Sequence, residues 1–196
     1  MVGEARDIET MDVSFRAALT GHLVLTSMHA NDAPSAVTRM LQMGVEPYLV
    51  SSGLRAVVAQ RLARRVCPDC KVSRDVEELL AEAPALRKLL TEHRITAVAA
   101  GRGCERCRGT GFLGRIGVFE LMRMSPTLKS MVLEEVDEAK LRDAAISEGM
   151  VPMQADVIAK LRAGIISIEG LMELYADTST EYSAEVTRLM DKRKRS

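Results

Sequence analysis

Thr20-Gly21-His22-Leu23-Val24-Leu25-Thr26-Ser27-Met28-His29-Ala30-Asn31-Asp32-Ala33-Pro34 is the stretch on which the fold turns. Residues 22–28 are rich in Leu, Val and Thr, which predicts a short buried strand. A helix follows directly. Asp32 can accept from its first amides, Pro34 suits its first turn, and Gly44 lies just past its end. Val37, Met40 and Leu41 have the spacing of a buried stripe, so they belong to a core and not to a cofactor site. The strand carries a histidine at each end, His22 and His29, and runs straight into a helix cap.

Reading outward, residues 12–19 predict a helix with Phe15, Ala18 and Leu19 on one side, stopped by Gly21. Upstream, Val2-Gly3-Glu4-Ala5-Arg6-Asp7-Ile8-Glu9-Thr10 crowds Glu4, Arg6, Asp7 and Glu9 into one short segment. An acidic residue at a strand end can orient and deprotonate water, although a charge cluster is more often a solvated face. Downstream, residues 53–65 predict a third helix bearing Val57, Val58, Arg61 and Leu62. The first 65 residues thus read as compact α/β. Residues 76–93 are Leu- and Ala-rich and predict one or two short helices. Residues 109–122 read as turns and a strand with Ile116, Val118 and Phe119 apolar. Residues 125–174 predict three or four helices, opened by Ser125-Pro126 and separated at Gly149 and Gly164. Beyond residue 177 the chain turns polar, with one more helix expected over 182–190.

With 47% hydrophobic residues but no Trp and only 3% aromatics, the core must be aliphatic, built from Leu, Val, Ile, Ala and the 12 Met. Basic and acidic residues balance at 27 each, which argues against a general nucleic-acid binder. The run Lys192-Arg193-Lys194-Arg195 reads as a solvated tail. No apolar stretch approaches the ~20 residues needed to span a bilayer. The first residues lack the basic start and apolar core of a signal peptide. The expected location is the cytosol, where thiols stay reduced and cysteines serve metals or catalysis more than disulfides.

Cys67-Pro68-Asp69-Cys70 and Cys104-Glu105-Arg106-Cys107 form two matched CxxC pairs. Two intervening residues let both sulfurs of one knuckle face one point, and two knuckles complete a tetrahedral thiolate shell for Zn²⁺. A redox role needs only one such pair. A closed four-sulfur shell has no open coordination position, so the expected zinc is structural and staples a module with little core of its own. Arg65, Lys71, Arg102, Arg106 and Arg108 flank the cysteines and would offset the thiolate charge. His93 lies between the pairs and is expected to be an exposed helix residue, not a fifth ligand.

These motifs together resemble the secretion ATPase superfamily of type II secretion and type IV pilus assembly. The family's Walker B end reads Gly-Glu-Ile-Arg-Asp-x-Glu-Thr, and its His box reads Thr-Gly-His-Leu-Val followed by His-Thr-Asn-Asp-Ala. This chain matches both, with Ala5 in place of the usual Ile and Ala30 in place of the usual Thr. Met43-Gly44-Val45, Ala59-Gln60-Arg61-Leu62, the cysteine pairs and Gly114-Arg115-Ile116-Gly117-Val118-Phe119-Glu120 continue the resemblance in order. The cysteines favour the secretion and pilus-extension branch over the retraction branch.

The resemblance implies the C-terminal part of a RecA-like P-loop ATPase core over residues 1–66 and a zinc module over 67–108. A return strand and C-terminal helical region would occupy 109–176, and a polar tail 177–196. It implies that Glu4 polarises the attacking water and that His22 and His29 lie near the γ-phosphate. Arg6 and Asp7 would organise the same nucleotide and interface edge. A hydrogen-bonded strand-end histidine and a plain salt bridge are the simpler readings of His22 and Arg6. The implied whole is a hexameric ring using ATP and Mg²⁺, cytoplasmic and peripheral to the inner membrane, acting on membrane platform proteins and not on nucleic acid. One departure is plain: GxxxxGK[ST], the loop that cradles phosphates, occurs nowhere in the 196 residues. The chain is therefore expected to be a fragment, a truncated product or part of a split protein, inactive by itself. A non-enzymatic remnant or adaptor that keeps the zinc module is the alternative.

Overall fold

The computed structural model describes residues 1–77, 86–135 and 137–176. The polar tail, its expected helix and the Lys192–Arg195 run lie outside the described residues, as does part of the stretch between the cysteine pairs. The chain divides into two compact units. Met1–Gln60 with Phe119–Met153 forms one, and Arg61–Val118 with the chain from Gln154 onward forms the other.

In the first unit, residues 2–5 run parallel to residues 25–27. Val2 N–H donates to Leu25 O at 2.9 Å and Ala5 N–H to Ser27 O at 2.9 Å, around a parallel bridge between Glu4 and Ser27. The buried strand expected over 22–28 is not found. Only Ser27 bridges, and Leu23 and Leu25 are 84% and 59% exposed, because no layer among the described residues covers them. Helix α1 (Ile8–Leu19) starts earlier than expected, because the Asp7 carboxylate accepts from the Thr10 amide and caps it. Its buried face is Met11, Ser14 and Phe15, whereas Leu19 is exposed. Helix α2 (Ala33–Gln42) begins as expected, with a reciprocal capping box between Asp32 and Ser35. Gly44 follows it at φ +92, a left-handed conformation that a side chain would strain.

The third helix expected over 53–65 is a correction. Helix α3 (Pro47–Gly53) ends where that helix was to begin, and residues Ala56–Val66 form strand β1. The run Ala-Val-Val-Ala-Gln-Arg-Leu-Ala-Arg-Arg-Val suits either state locally. What decides is the partner, β4 (Phe112–Arg123), far along the chain. The pair is antiparallel, since Met124 N–H donates to Arg55 O at 3.0 Å and Cys67 N–H to Gly111 O at 2.9 Å. Helices α5 (Pro126–Leu133) and α6 (Glu138–Ser147) complete the first unit, capped by Ser125 and Asp137. Its core is aliphatic and methionine-rich, as the composition demands: among the described residues, Met11, Met40, Met122, Met124 and Met150 are buried with the aromatic Phe15.

In the second unit, β2 (Lys71–Asp75) and β3 (Ala97–Gly101) pair antiparallel, Lys71 opposite Gly101 and Asp75 opposite Ala97. Between them α4 (Arg87–Glu92) buries Leu89 and Leu90. Helices α7 (Met153–Arg162) and α8 (Ile168–Ala176) follow, α7 starting at the last residue of the first unit. Arg64 ties β1 to α8 through Glu173, and its guanidinium stacks 4.0 Å from the centre of the Phe112 ring.

Candidate functional site

The parallel pairing of residues 2–5 with 25–27 brings the two ends of the N-terminal motifs together. Arg6 Nη2 donates to Glu4 Oε2 at 2.6 Å, and His29 Nε2 stands 2.8 Å from Glu4 Oε1. That second contact is a close charge approach when the ring is protonated and not an aligned hydrogen bond, since Oε1 is enclosed yet receives no well-directed donor among the described residues. The Glu4 side chain is about a quarter exposed and the His29 ring 83% exposed. The hydrogen bond from Arg6 holds the Glu4 carboxyl below the usual carboxylate range against the opposing effect of burial, and His29 adds to the lowering. Beside His29, an open polar cleft of about 340 Å³ runs past Asn31, Ser35, Thr38 and Arg39 to Glu138.

The other two predicted residues lie apart from this cluster. Asp7 is occupied as the cap of α1, and donation from the Thr10 amide lowers its carboxyl pKa. His22 sits just past the end of the same helix, with Nδ1 3.2 Å from both Thr20 Oγ1 and Ala17 O. It has no hydrogen bond to Glu4, Arg6 or His29 among the described residues. Sequence reasoning missed Arg142, which bridges Asp32 and Glu138 at 2.8 Å each and so ties the start of α2 to α6. Its spacing from Glu138 reads only as an ordinary pair one helical turn apart, and its other partner, Asp32, is remote in sequence.

The second site is the four-cysteine centre. Cys67 and Cys104 sulfurs are 3.8 Å apart, Cys70 and Cys107 3.8 Å, and Cys104 and Cys107 3.7 Å. All four lie within 4.8 Å of one another. A tetrahedron with Zn–S bonds of about 2.3 Å has edges of about 3.8 Å, so the donor set and its spacing fit Zn²⁺. Backbone N–H groups of Cys104 and Gly111 donate to Cys107 Sγ at 3.2 and 3.3 Å. Burial pushes Cys70 up to about 12, whereas at Cys107 burial is outweighed by these N–H donors and the thiol falls to about 6.

Two features of this centre went unread. Arg106 does not face the sulfurs alone: its Nη1 bonds both Asp69 oxygens, at 2.8 and 3.0 Å, joining one knuckle to the other. The glycines around the second knuckle also cross at backbone contact, Gly101 against Gly111 and Gly103 against Gly109. Their clustering near the cysteines was visible, but not which of them meet. His93 lies outside the sulfur cluster. It caps α4, half-buried, and its carbonyl accepts from Arg162.

The family described as "Type II/IV secretion system protein" matches residues 1–174. The chain belongs to this family. It is 38% identical over 177 residues to the "Type IV pilus assembly ATPase TfpB" of Acinetobacter baylyi, a match covering 89% of this chain and 29% of that protein. It is likewise 38% identical over 176 residues to the "Type II secretion system ATPase E" of Vibrio cholerae, covering 89% of this chain and 34% of that one. The chain thus spans about a third or less of the curated relatives it matches. Among solved structures, the pilus retraction motor PilT with bound ADP shares its fold at a TM-score of 0.58 and 20% identity, over 92% of this chain and 39% of that one. The DotB ATPase of Yersinia pseudotuberculosis does so at 0.58 and 17%, over 89% and 36%. No described helix is long and apolar enough to cross a membrane.

Proposed function

We propose that this chain is the C-terminal part of a RecA-like ATPase that powers type IV pilus assembly or type II secretion, working as a hexameric ring. The observation that carries this reading is the Glu4–Arg6–His29 cluster, formed where two family motifs run side by side. Glu4 is the group that orients and polarises water. Arg6 keeps it ionised, and the exposed His29 ring is placed to meet a phosphate held above it. The contacts of Asp7 and His22 support positioning of the loop edges around α1 more than direct chemistry. ATP and Mg²⁺ are the substrate and its ion, gripped by a P-loop that these 196 residues do not contain.

Cys67, Cys70, Cys104 and Cys107 hold one structural Zn²⁺, which supplies folding free energy and no reaction chemistry. The division into core (1–66), zinc module (67–108), return strand and helical region (109–176) and tail (177–196) belongs to the same reading. So do a cytoplasmic position at the inner membrane and partnership with membrane platform proteins. The second reading is a non-enzymatic adaptor in which the four-cysteine module is the working part. The deciding experiment joins the chain to a P-loop-bearing segment of a relative and follows phosphate release. Hydrolysis that Glu4→Gln removes supports the ATPase, and a rate indifferent to Glu4 refutes it.

A further inference from the structure

Glu120 is a charged side chain in the core of the first unit, only 3% exposed. It sits on β4 between Val118 and Met122, two apolar residues of the same strand face that are fully buried. A buried carboxylate is costly unless hydrogen-bonded, and both oxygens of this one are used. Oε1 accepts from the Ala33 amide at 2.8 Å, and Oε2 from the Met153 amide at 3.0 Å. Ala33 and Met153 are the first residues of α2 and α7. One carboxylate therefore satisfies the leading N–H of two helices, where partial positive charge also favours an anion.

Four residues before Ala33 stands His29. Its ring is 83% exposed, so side-chain packing does not hold it over Glu4. Its position depends on the backbone to either side. On one side, Ala5 N–H bonds Ser27 O at 2.9 Å. On the other, Glu120 fixes Ala33, and Arg142 holds the intervening Asp32 at 2.8 Å. We propose that Glu120 is a positioning residue: by anchoring the first amide of α2 from inside the core, it sets the place of His29 relative to Glu4. This rests on the reading of Glu4 and His29 given above.

The test uses the whole 196-residue chain without ligand, labelled at histidine for NMR. The chain has three histidines, so His22 and His93 serve as internal references. Glu4→Gln is expected to displace the His29 ring signals and leave the other two in place, which defines the signature of the lost contact. Glu120→Gln keeps the shape but offers only one oxygen, so one amide loses its acceptor. The His29 signals should then move toward their Glu4→Gln position, with those of His22 and His93 unchanged. Glu120→Asp, shorter by one methylene, serves where Glu120→Gln does not fold and should displace His29 in the same direction. Folded variants whose His29 signals stay at the wild-type position overturn the proposal, even if their Tm falls. Collapse of all three signals in both variants also overturns it, because Glu120 would then be needed for the fold as a whole. If Glu4→Gln itself leaves His29 unmoved, it is the reading of the site that fails, independently of Glu120.

Discussion

Gly101 and Gly111 meet backbone to backbone: a Cβ placed on Gly101 would stand 2.1 Å from the Gly111 carbonyl oxygen, and one placed on Gly111 2.6 Å from that of Gly101. Neither obstacle is a side chain that could swing away. The crossing holds together the end of β3 and the loop leaving Cys107, and Gly111 also donates to the Cys107 sulfur. Gly101→Ala is expected to destabilise the second unit by on the order of 3 kcal/mol. It should also reduce bound zinc, read by elemental analysis beside a melting curve. Gly3→Ala is the control. Its Cβ would meet nothing within 4 Å, and its effect should stay within about 0.5 kcal/mol.

Purified, reduced protein should carry about one zinc per chain, as four thiolates in one tetrahedral set require. Cys104→Ser should release it and loosen the two knuckles. The helices Pro126–Leu133 and Glu138–Ser147 belong to the other unit and should keep their amide protection. Chelation of the native protein should lower Tm by roughly 10 °C, since losing several kcal/mol costs about 2–4 °C each in a chain of this size. Zinc-free protein with an unchanged Tm would contradict the structural role.

His29 is exposed, so the packing explanation for its presence and the chemical one predict different things. His29→Ala should leave the Tm within about 2 °C, as a surface substitution does. In a complete ATPase containing this segment it should lower turnover by about 100-fold or more, the usual scale for a positioned proton-transfer or charge-stabilising group. A fallen Tm with unchanged turnover per folded molecule would reverse the assignment.

The isolated chain should neither bind ATP tightly nor hydrolyse it. Phosphate binding in P-loop enzymes rests on a cradle of backbone N–H groups and a lysine, and the required sequence is absent from these residues. Glu4 and His29 can act only on a phosphate already held in place. A phosphate-release assay with a nucleotide titration checks this, and robust Glu4-dependent hydrolysis by the 196 residues alone would disprove it.

Acid should weaken the first unit through its helix caps. Asp7 and Asp137 accept from amides at the starts of α1 and α6, and this donation lowers both pKa values. A depressed folded-state pKa means stability that is present above the unfolded value of about 3.9 and is lost as pH falls through and below it. Asp7→Asn keeps a capping oxygen but cannot titrate. It should match the wild type near neutrality and show a shallower fall of Tm between about pH 5 and 3. An identical slope in both proteins would remove Asp7 from the acid response.

Much of the candidate site was legible because it depends on local spacing. Two residues between paired cysteines suffice to aim two sulfurs at one point, and Asp32 followed by Pro34 suffices to start a helix. Glu4 and His29 were readable as members of two motifs, and the order of those motifs gave the family. The failures share another cause. Residues 56–66 have the composition of a helix or a strand, and only pairing with a strand some 50 residues later settles the choice. Leu23 and Leu25 were apolar enough to be buried, but burial needs a covering layer, which the segment's own residues cannot supply.

By itself, then, the sequence determined the capped starts of α2 and α5, the four-sulfur set, the aliphatic core and the family, all of which arise from residue chemistry within a few positions. Tertiary structure alone decided that Glu4 lies beside His29, that Gly101 touches Gly111, and that Glu120 binds the first amides of two helices at once. Those contacts join residues 25, 10 and up to 87 positions apart. No local propensity encodes them, because they exist only once hydrogen bonding and burial have fixed where the backbone passes.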